Sequence, residues 1–165
     1  MTKKLILLSA LLATATFSPA ATLIFNATMN SAAERPTPTG SSAVGTATLT
    51  IDDVSLAFSL VGTYAGLTSA AIGSHIHGPA NTENSAPILF PLTHTGGTTG
   101  TLSFTGTYTA EQLTNLRNTL HYVNVHTDPF RLGEIRGQLV AAPIPEPASL
   151  ALAALGALGL VRRRK

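Results

Sequence analysis

The chain has 165 residues, room for one domain, and no cysteine, which excludes a disulfide framework and a thiolate metal site. Its formal charge of +2 misrepresents the body: six of the ten Lys and Arg residues sit at the two ends, and between Ala21 and Ala142 four arginines stand against seven acids, a net of −3. The body therefore lacks the basic patch that binding to a phosphate backbone requires, and nucleic acid is excluded as a partner.

The opening segment, MTKKLILLSALLATATFSPA, has two lysines at positions 3 and 4, then an apolar run from Leu5 to Ala15 broken only by Ser9 and Thr14. Small residues close it at Ser18 and Ala20. This is the pattern of a secretory signal peptide over residues 1–20, cleaved by signal peptidase after Ala20. The apolar run is short for a membrane anchor. The expectation is a signal helix that takes the rest of the chain through the inner membrane.

Beyond it the sequence alternates apolar and polar residues, rich in threonine, as half-buried strands do. Leu23 to Met29 is the first strand. Ala43 to Ile51 places Ala43, Gly45, Ala47, Leu49 and Ile51 on one face. Asp52-Asp53 reads as a tight turn into an alternation of Val54, Leu56, Phe58 and Leu60. The segment from Ser31 to Ser42, with Pro36, Pro38 and Gly40, reads as a loop. Shorter strands follow at Ile72 to His77 and Ile88 to Leu92, with Pro91 marking an edge or strand end. Gly100 to Tyr108 alternates again.

One helix is expected over 109–120. Thr109-Ala110-Glu111-Gln112 fits a capping box, and Leu113, Leu116 and Leu120 form an apolar stripe. Strands at Tyr122 to Thr127 and Glu134 to Val140 then form a hairpin through Asp128-Pro129 and Gly133. About eight strands and one short helix predict an all-β fold, a two-sheet sandwich with Greek-key connections.

The chain's last segment combines Pro145-Glu146-Pro147, an apolar span from Ala148 to Val161, and the cations Arg162, Arg163, Arg164 and Lys165. As a helix the span extends ~21 Å, against ~30 Å of hydrocarbon, and the cations behind it act as a cytoplasmic stop by the positive-inside rule. These three parts, over residues 143–165, resemble a PEP-CTERM sorting signal of exported Gram-negative proteins. The resemblance implies transient membrane insertion of a C-terminal apolar helix and recognition by an exosortase, a membrane transpeptidase-like enzyme. Pro145, Glu146 and Pro147 are then a processing signal read by another protein.

Three blocks of the body resemble the CHRD domain, named after the extracellular protein chordin: His75-Ile76-His77-Gly78-Pro79-Ala80, Tyr122-Val123-Asn124-Val125-His126-Thr127, and Gly133-Glu134-Ile135-Arg136-Gly137-Gln138. The resemblance spans about residues 21–141 and implies a secreted β-domain with no established catalytic activity. The Asp-Pro-Phe-Arg-Leu-Gly stretch departs from the shorter turn usual in that family. A fold does not supply a function.

His75 and His77 stand two apart and so share a face of their strand. In the strand from Tyr122, His126 shares a face with Asn124, while His121 falls opposite. A cluster of His75, His77 and His126 suits zinc or copper, with Asp128 or Glu134 as a carboxylate to complete the shell. Sharing one ion requires the imidazole nitrogens to converge to within about 4 Å. The structural alternative has these histidines bonding neighbouring strands or the Glu134 and Arg136 pair. No Gly-x-Ser-x-Gly elbow or paired-carboxylate motif frames a catalytic site.

The resulting expectation is an exported, non-catalytic structural or adhesive protein without a cofactor, sorted to the cell surface or an extracellular polysaccharide matrix. Its partners there are exopolysaccharide or surface proteins. The alternative is an exported metal-binding protein that uses the histidine cluster for copper or zinc, with or without redox activity.

Overall fold

In the computed structural model, the structure describes residues 20–143. The expected signal helix, the Pro145-Glu146-Pro147 motif, the apolar C-terminal helix and the basic end lie outside the described residues; Ala20, the expected cleavage position, is exposed coil at their start. Among the described residues no helix is long and apolar enough to cross a membrane.

The fold is mostly β with one short helix. Strands β1 (Thr22–Asn30), β2 (Val44–Asp52) and β3 (Ala57–Ala65) form an antiparallel meander in which Phe25 lies opposite Leu49, and Leu49 opposite Leu60. The alternation read from the sequence decides which side chains go inward. Phe25, Ala27 and Met29, then Ala47, Leu49 and Ile51, then Phe58, Leu60 and Tyr64 are all buried, and the threonines of β2 point outward.

The turn between β2 and β3 is longer than expected. Asp52 Oδ1 accepts the N–H of Val54 at 3.1 Å, the N–H of Ser55 at 2.6 Å and the Ser55 hydroxyl at 2.8 Å. This Asx-type turn competes with the ladder. It leaves Val54 69% exposed, puts Leu56 at φ +61°, and delays the strand to Ala57.

The remaining elements are β4 (Ala71–His77), β5 (Ile88–Pro91), β6 (Thr93–His94), β7 (Gly100–Thr107), α1 (Ala110–Arg117), β8 (Tyr122–Thr127), β9 (Ile135–Gln138) and β10 (Val140–Ala141). All pairings are antiparallel, in the order β5-β4-β8-β9-β1-β2-β3-β7-β6, with β10 beside β1. Thus β5 and β6 lie at opposite ends of this order, yet they are two halves of one stretch divided at Leu92. The Leu92 N–H donates to the Ser74 carbonyl at 2.8 Å, so the stretch leaves β4 and passes directly to β7. The sheet closes nearly into a barrel.

The expected two-sheet sandwich is therefore replaced by one continuous sheet. Alternation tells which face of a strand is buried, but not whether the strands divide into two layers or curl into one. Closure also removes the free edges that an open sheet must protect. Phe58, Phe90, Phe104 and Tyr108 pack edge-on or tilted in its interior, with ring centroids 4.6 Å apart for Phe58 and Tyr108.

The helix starts as expected: the Thr109 hydroxyl accepts the Gln112 N–H at 3.1 Å, and the Gln112 side chain accepts the Thr109 N–H at 2.8 Å. It ends at Arg117 instead of Leu120. Leu120 N–H donates to Asn115 O at 3.0 Å and Thr119 N–H to Leu116 O at 3.0 Å, the pair of bonds that defines a Schellman ending. Thr119 takes the left-handed position at φ +60°, where a β-branched residue is strained. Thr119→Gly should raise stability by about 1 kcal/mol, read by chemical denaturation. In the opposite sense, a Cβ on Gly137 would stand 2.5 Å from the Thr28 carbonyl oxygen in the neighbouring β1. Gly137→Ala should cost roughly 1–3 kcal/mol by the same measurement.

Candidate metal centre

Inward residues of β4, β8 and β9 are Ser74 and Ile76, Val123 and Val125, and Ile135. Alternation sends His75, His77, Tyr122, Asn124, His126, Arg136 and Gln138 to the outer face. On most of the barrel that face meets water. Here it is covered by the segment after β1, which begins with a 3₁₀ turn at Ser31–Ala33, and by the loop of residues 78–87. His77, Asn124 and Arg136 are consequently buried at 8%, 3% and 2% exposure, while His75 and His126 are half-buried.

The register of β4 on β8 sets the histidine geometry. His77 lies opposite Tyr122, His75 opposite Asn124, and Gly73 opposite His126. His126 is therefore diagonal to His75. Gly73 leaves the space that both rings use: a Cβ there would sit 3.3 Å from His75 Cε1 and 3.8 Å from His126 Cδ2. His75 Nδ1 and His126 Nε2 are 3.0 Å apart. One ring nitrogen from each of His75, His77 and His126 lies within 4.8 Å of the others. The structure thus brings together the three histidines that strand parity selected, with one pair inside the 4 Å limit and the set as a whole slightly wider.

The hydrogen bonds fix which nitrogens remain available. His126 Nδ1 lies 3.0 Å from the Arg131 carbonyl, and His77 Nδ1 lies 2.9 Å from the Ala86 carbonyl. A carbonyl only accepts, so both rings carry the proton on Nδ1 and a lone pair on Nε2; the His126 lone pair accepts the Nδ1–H of His75. His77 Nε2 is buried and has no partner. The His77 ring stacks on Tyr122 at a centroid distance of 4.9 Å, and the Arg136 guanidinium covers that tyrosine ring at 3.5 Å.

Burial keeps these imidazoles neutral, which is their ligating form. It draws His75 down to about 4, with His126, His77 and His94 adding repulsion. It lowers His77 too, where the Arg136 charge assists and the bond to Ala86 opposes, and it lowers His126 against its bond to Arg131.

Neither expected carboxylate completes the shell. Glu134 precedes β9 and its oxygens are taken by the Ser41 hydroxyl at 2.6 Å, the Thr127 hydroxyl at 2.6 Å, and the Thr68 hydroxyl and N–H at 2.9 Å each. Burial pushes its pKa up, but these bonds outweigh that and hold the carboxyl below its usual range. Asp128 is exposed and pairs with Arg131. The structural alternative is corrected as well, because Glu134 and Arg136 do not form a pair. Arg136 donates to the Asn84 and Asn81 carbonyls at 2.9 Å each and to Gln138 at 3.2 Å. His121 stays outside the cluster, fully buried with Nδ1 3.3 Å from the Tyr108 hydroxyl.

The acid that does reach this face is Glu34, in the segment read only as loop. It accepts both bonds from Asn124 Nδ2, at 2.9 and 3.1 Å, and lines a cavity of about 350 Å³ together with His77, Tyr122, Asn124, His126 and Arg131. Its one sequence signal was an acid two residues before Pro36, which carries no periodicity to indicate burial. Burial raises its pKa to about 7, while Arg136 and the Asn124 bond pull the other way.

Family comparison agrees with the blocks quoted above. A model of the CHRD domain matches residues 25–139, and the chain belongs to that family. The PEP-CTERM protein-sorting motif matches residues 143–165, which implies exosortase processing, export and a cell-surface or extracellular destination. No curated protein and no solved structure matches.

Because the folded pKa of Glu34 lies above its unfolded value of 4.5, its contribution to stability is complete below that value and is lost as pH rises through about 7. Glu34→Gln should therefore gain on wild type by on the order of 2–3 kcal/mol between about pH 4 and pH 8. Urea denaturation of both proteins at the two pH values measures the difference directly.

Proposed function

We propose that this CHRD-family chain is a non-catalytic structural or adhesive β-domain of the cell surface or extracellular polysaccharide matrix. The observation that carries the reading is the sorting motif over residues 143–165, which begins four residues beyond the end of the domain match at residue 139. The domain is cargo, and the tail is its address. Signal peptidase removes residues 1–20 after Ala20, and an exosortase cuts near Pro145-Glu146-Pro147 while the basic end holds the tail at the cytoplasmic side.

What supports a structural role is the distribution of hydroxyls. The outer faces of β2, β3 and β7 carry Thr46, Thr48, Ser59, Thr63, Ser103 and Thr105. This surface is neutral and rich in small donor–acceptor groups. It suits the hydroxyl-lined chains of an exopolysaccharide better than a charged partner. The buried charges of Glu134 and Arg136 are meanwhile engaged within the fold, Glu134 by hydroxyls and Arg136 by carbonyls.

Glu146→Ala, expressed from the full chain in its native host, tests the address. The expected result is a precursor that accumulates in the inner-membrane fraction, with loss of the shorter form from the surface and medium. Unchanged processing and fractionation would overturn the reading.

A further inference from the structure

We propose that His75, His77 and His126 form a binding site for one imidazole-preferring divalent cation, zinc or copper, at the outer face of β4 and β8. The inference is independent of how the chain is sorted. Three observations carry it. The three rings each bring a nitrogen within 4.8 Å of the others. Two of them donate Nδ1–H to backbone carbonyls, of Ala86 and Arg131, and so turn Nε2 lone pairs to the cluster. Carbonyl-oriented imidazoles of this kind are the usual outer-shell arrangement of metal-ligating histidines.

The third observation is the buried His77 Nε2, which has no hydrogen-bond partner. A buried acceptor left without a donor costs about 1–3 kcal/mol. A bound cation would satisfy it. An ion with Zn–N bonds of ~2.0–2.1 Å sets its nitrogens about 3.4 Å apart in a tetrahedron, so the rings close inward by on the order of 1 Å. The His75 and His126 nitrogens, hydrogen-bonded at 3.0 Å, would instead open slightly, with the His75 Nδ1 proton released to solvent as the ion takes its place.

The donor set selects the ion. Three neutral imidazoles suit zinc and copper; calcium and magnesium require oxygen ligands, which this cluster does not supply. Three protein ligands leave a fourth position for water or a small anion. It would open toward the cavity that His77 and His126 share with Glu34. The same ion would tie the loop of residues 78–87 to that of residues 128–133, since His77 anchors Ala86 and His126 anchors Arg131.

The test uses the full exported chain, purified without a polyhistidine tag, stripped with EDTA and titrated separately with zinc and copper(II) chloride. One equivalent of either ion should bind and raise the unfolding temperature, with magnesium and calcium inert, and the tighter of the two arms names the ion. His126→Gln and His77→Ala should each weaken binding by at least about 100-fold, the upper end of the loss for an outer-shell partner alone. His94→Gln, a nearby histidine outside the cluster, should leave it unchanged. His126 is half-buried, so its glutamine variant is expected to keep the wild-type circular dichroism and to report on binding alone. Absence of stoichiometric binding, or a folded His126→Gln that binds as wild type does, would overturn the assignment.

Discussion

Most of this molecule follows from the antiparallel register of β4 on β8. Val123 lies opposite Ile76, and Val125 opposite Ser74, which fixes their inward contribution to the core. The same register necessarily fixes the outward set, because side chains alternate with a period of two. A slip by one residue would carry His75 and His77 into the apolar interior and expel Ile76. Core packing and histidine placement are thus one constraint seen from two sides. The closing stretch reinforces it: Ile76 lies opposite Phe90 and Leu92 bonds back to Ser74, so β4 is held on both flanks.

The cost of that arrangement appears on the outer face. Covering it with two loops buries a guanidinium, a carboxyl and several imidazoles, and each loses hydration that must be replaced. Arg136 finds two carbonyls, an amide oxygen and the face of Tyr122. Away from this face, just before β9, Glu134 finds three hydroxyls and an N–H. These two groups are held charged by dense hydrogen bonding, without pairing to each other. Glu34 is less well served, with one amide donating to both its oxygens, and burial prevails there. The contrast explains why two glutamates on the same domain shift in opposite directions: the number of donors offered decides whether desolvation wins.

Strand positions and the helix start were legible because they rest on local rules. The period-two alternation of Ala43 to Ile51 and the Thr109–Gln112 capping box survive unchanged in the fold. The choice of His126 over His121 was legible for the same reason. What the sequence concealed was non-local. Whether β5 and β6 divide two sheets or join one depends on pairings across the fold, among them the two bonds between Leu92 and Ser74, 18 residues away in sequence. Glu34 reaches Asn124 across 90 residues, from a proline-rich segment with no pattern of its own. The early end of the helix was a local event, yet it turns on Thr119 adopting a conformation that its type disfavours, so the leucine spacing pointed past it.

The three sequence blocks that mark the family acquire physical content from this geometry. Gly137 admits the Thr28 backbone, and Gly78 admits the His121 ring, for in both places a Cβ would collide. Asn124 holds Glu34, and Arg136 lies over Tyr122. The two glycines and Arg136 have a sufficient reason in the fold alone, and Asn124 has one for its Nδ2. The histidines are different. A tyrosine or glutamine at position 77 would supply the stacking or the bond to Ala86, but neither would add a third imidazole beside His75 and His126. Folding accounts for the ring and its Nδ1. Nε2 is one of five buried side-chain atoms left without a partner among the described residues, and the one whose residue also belongs to the three-histidine cluster, which is what points to a ligand.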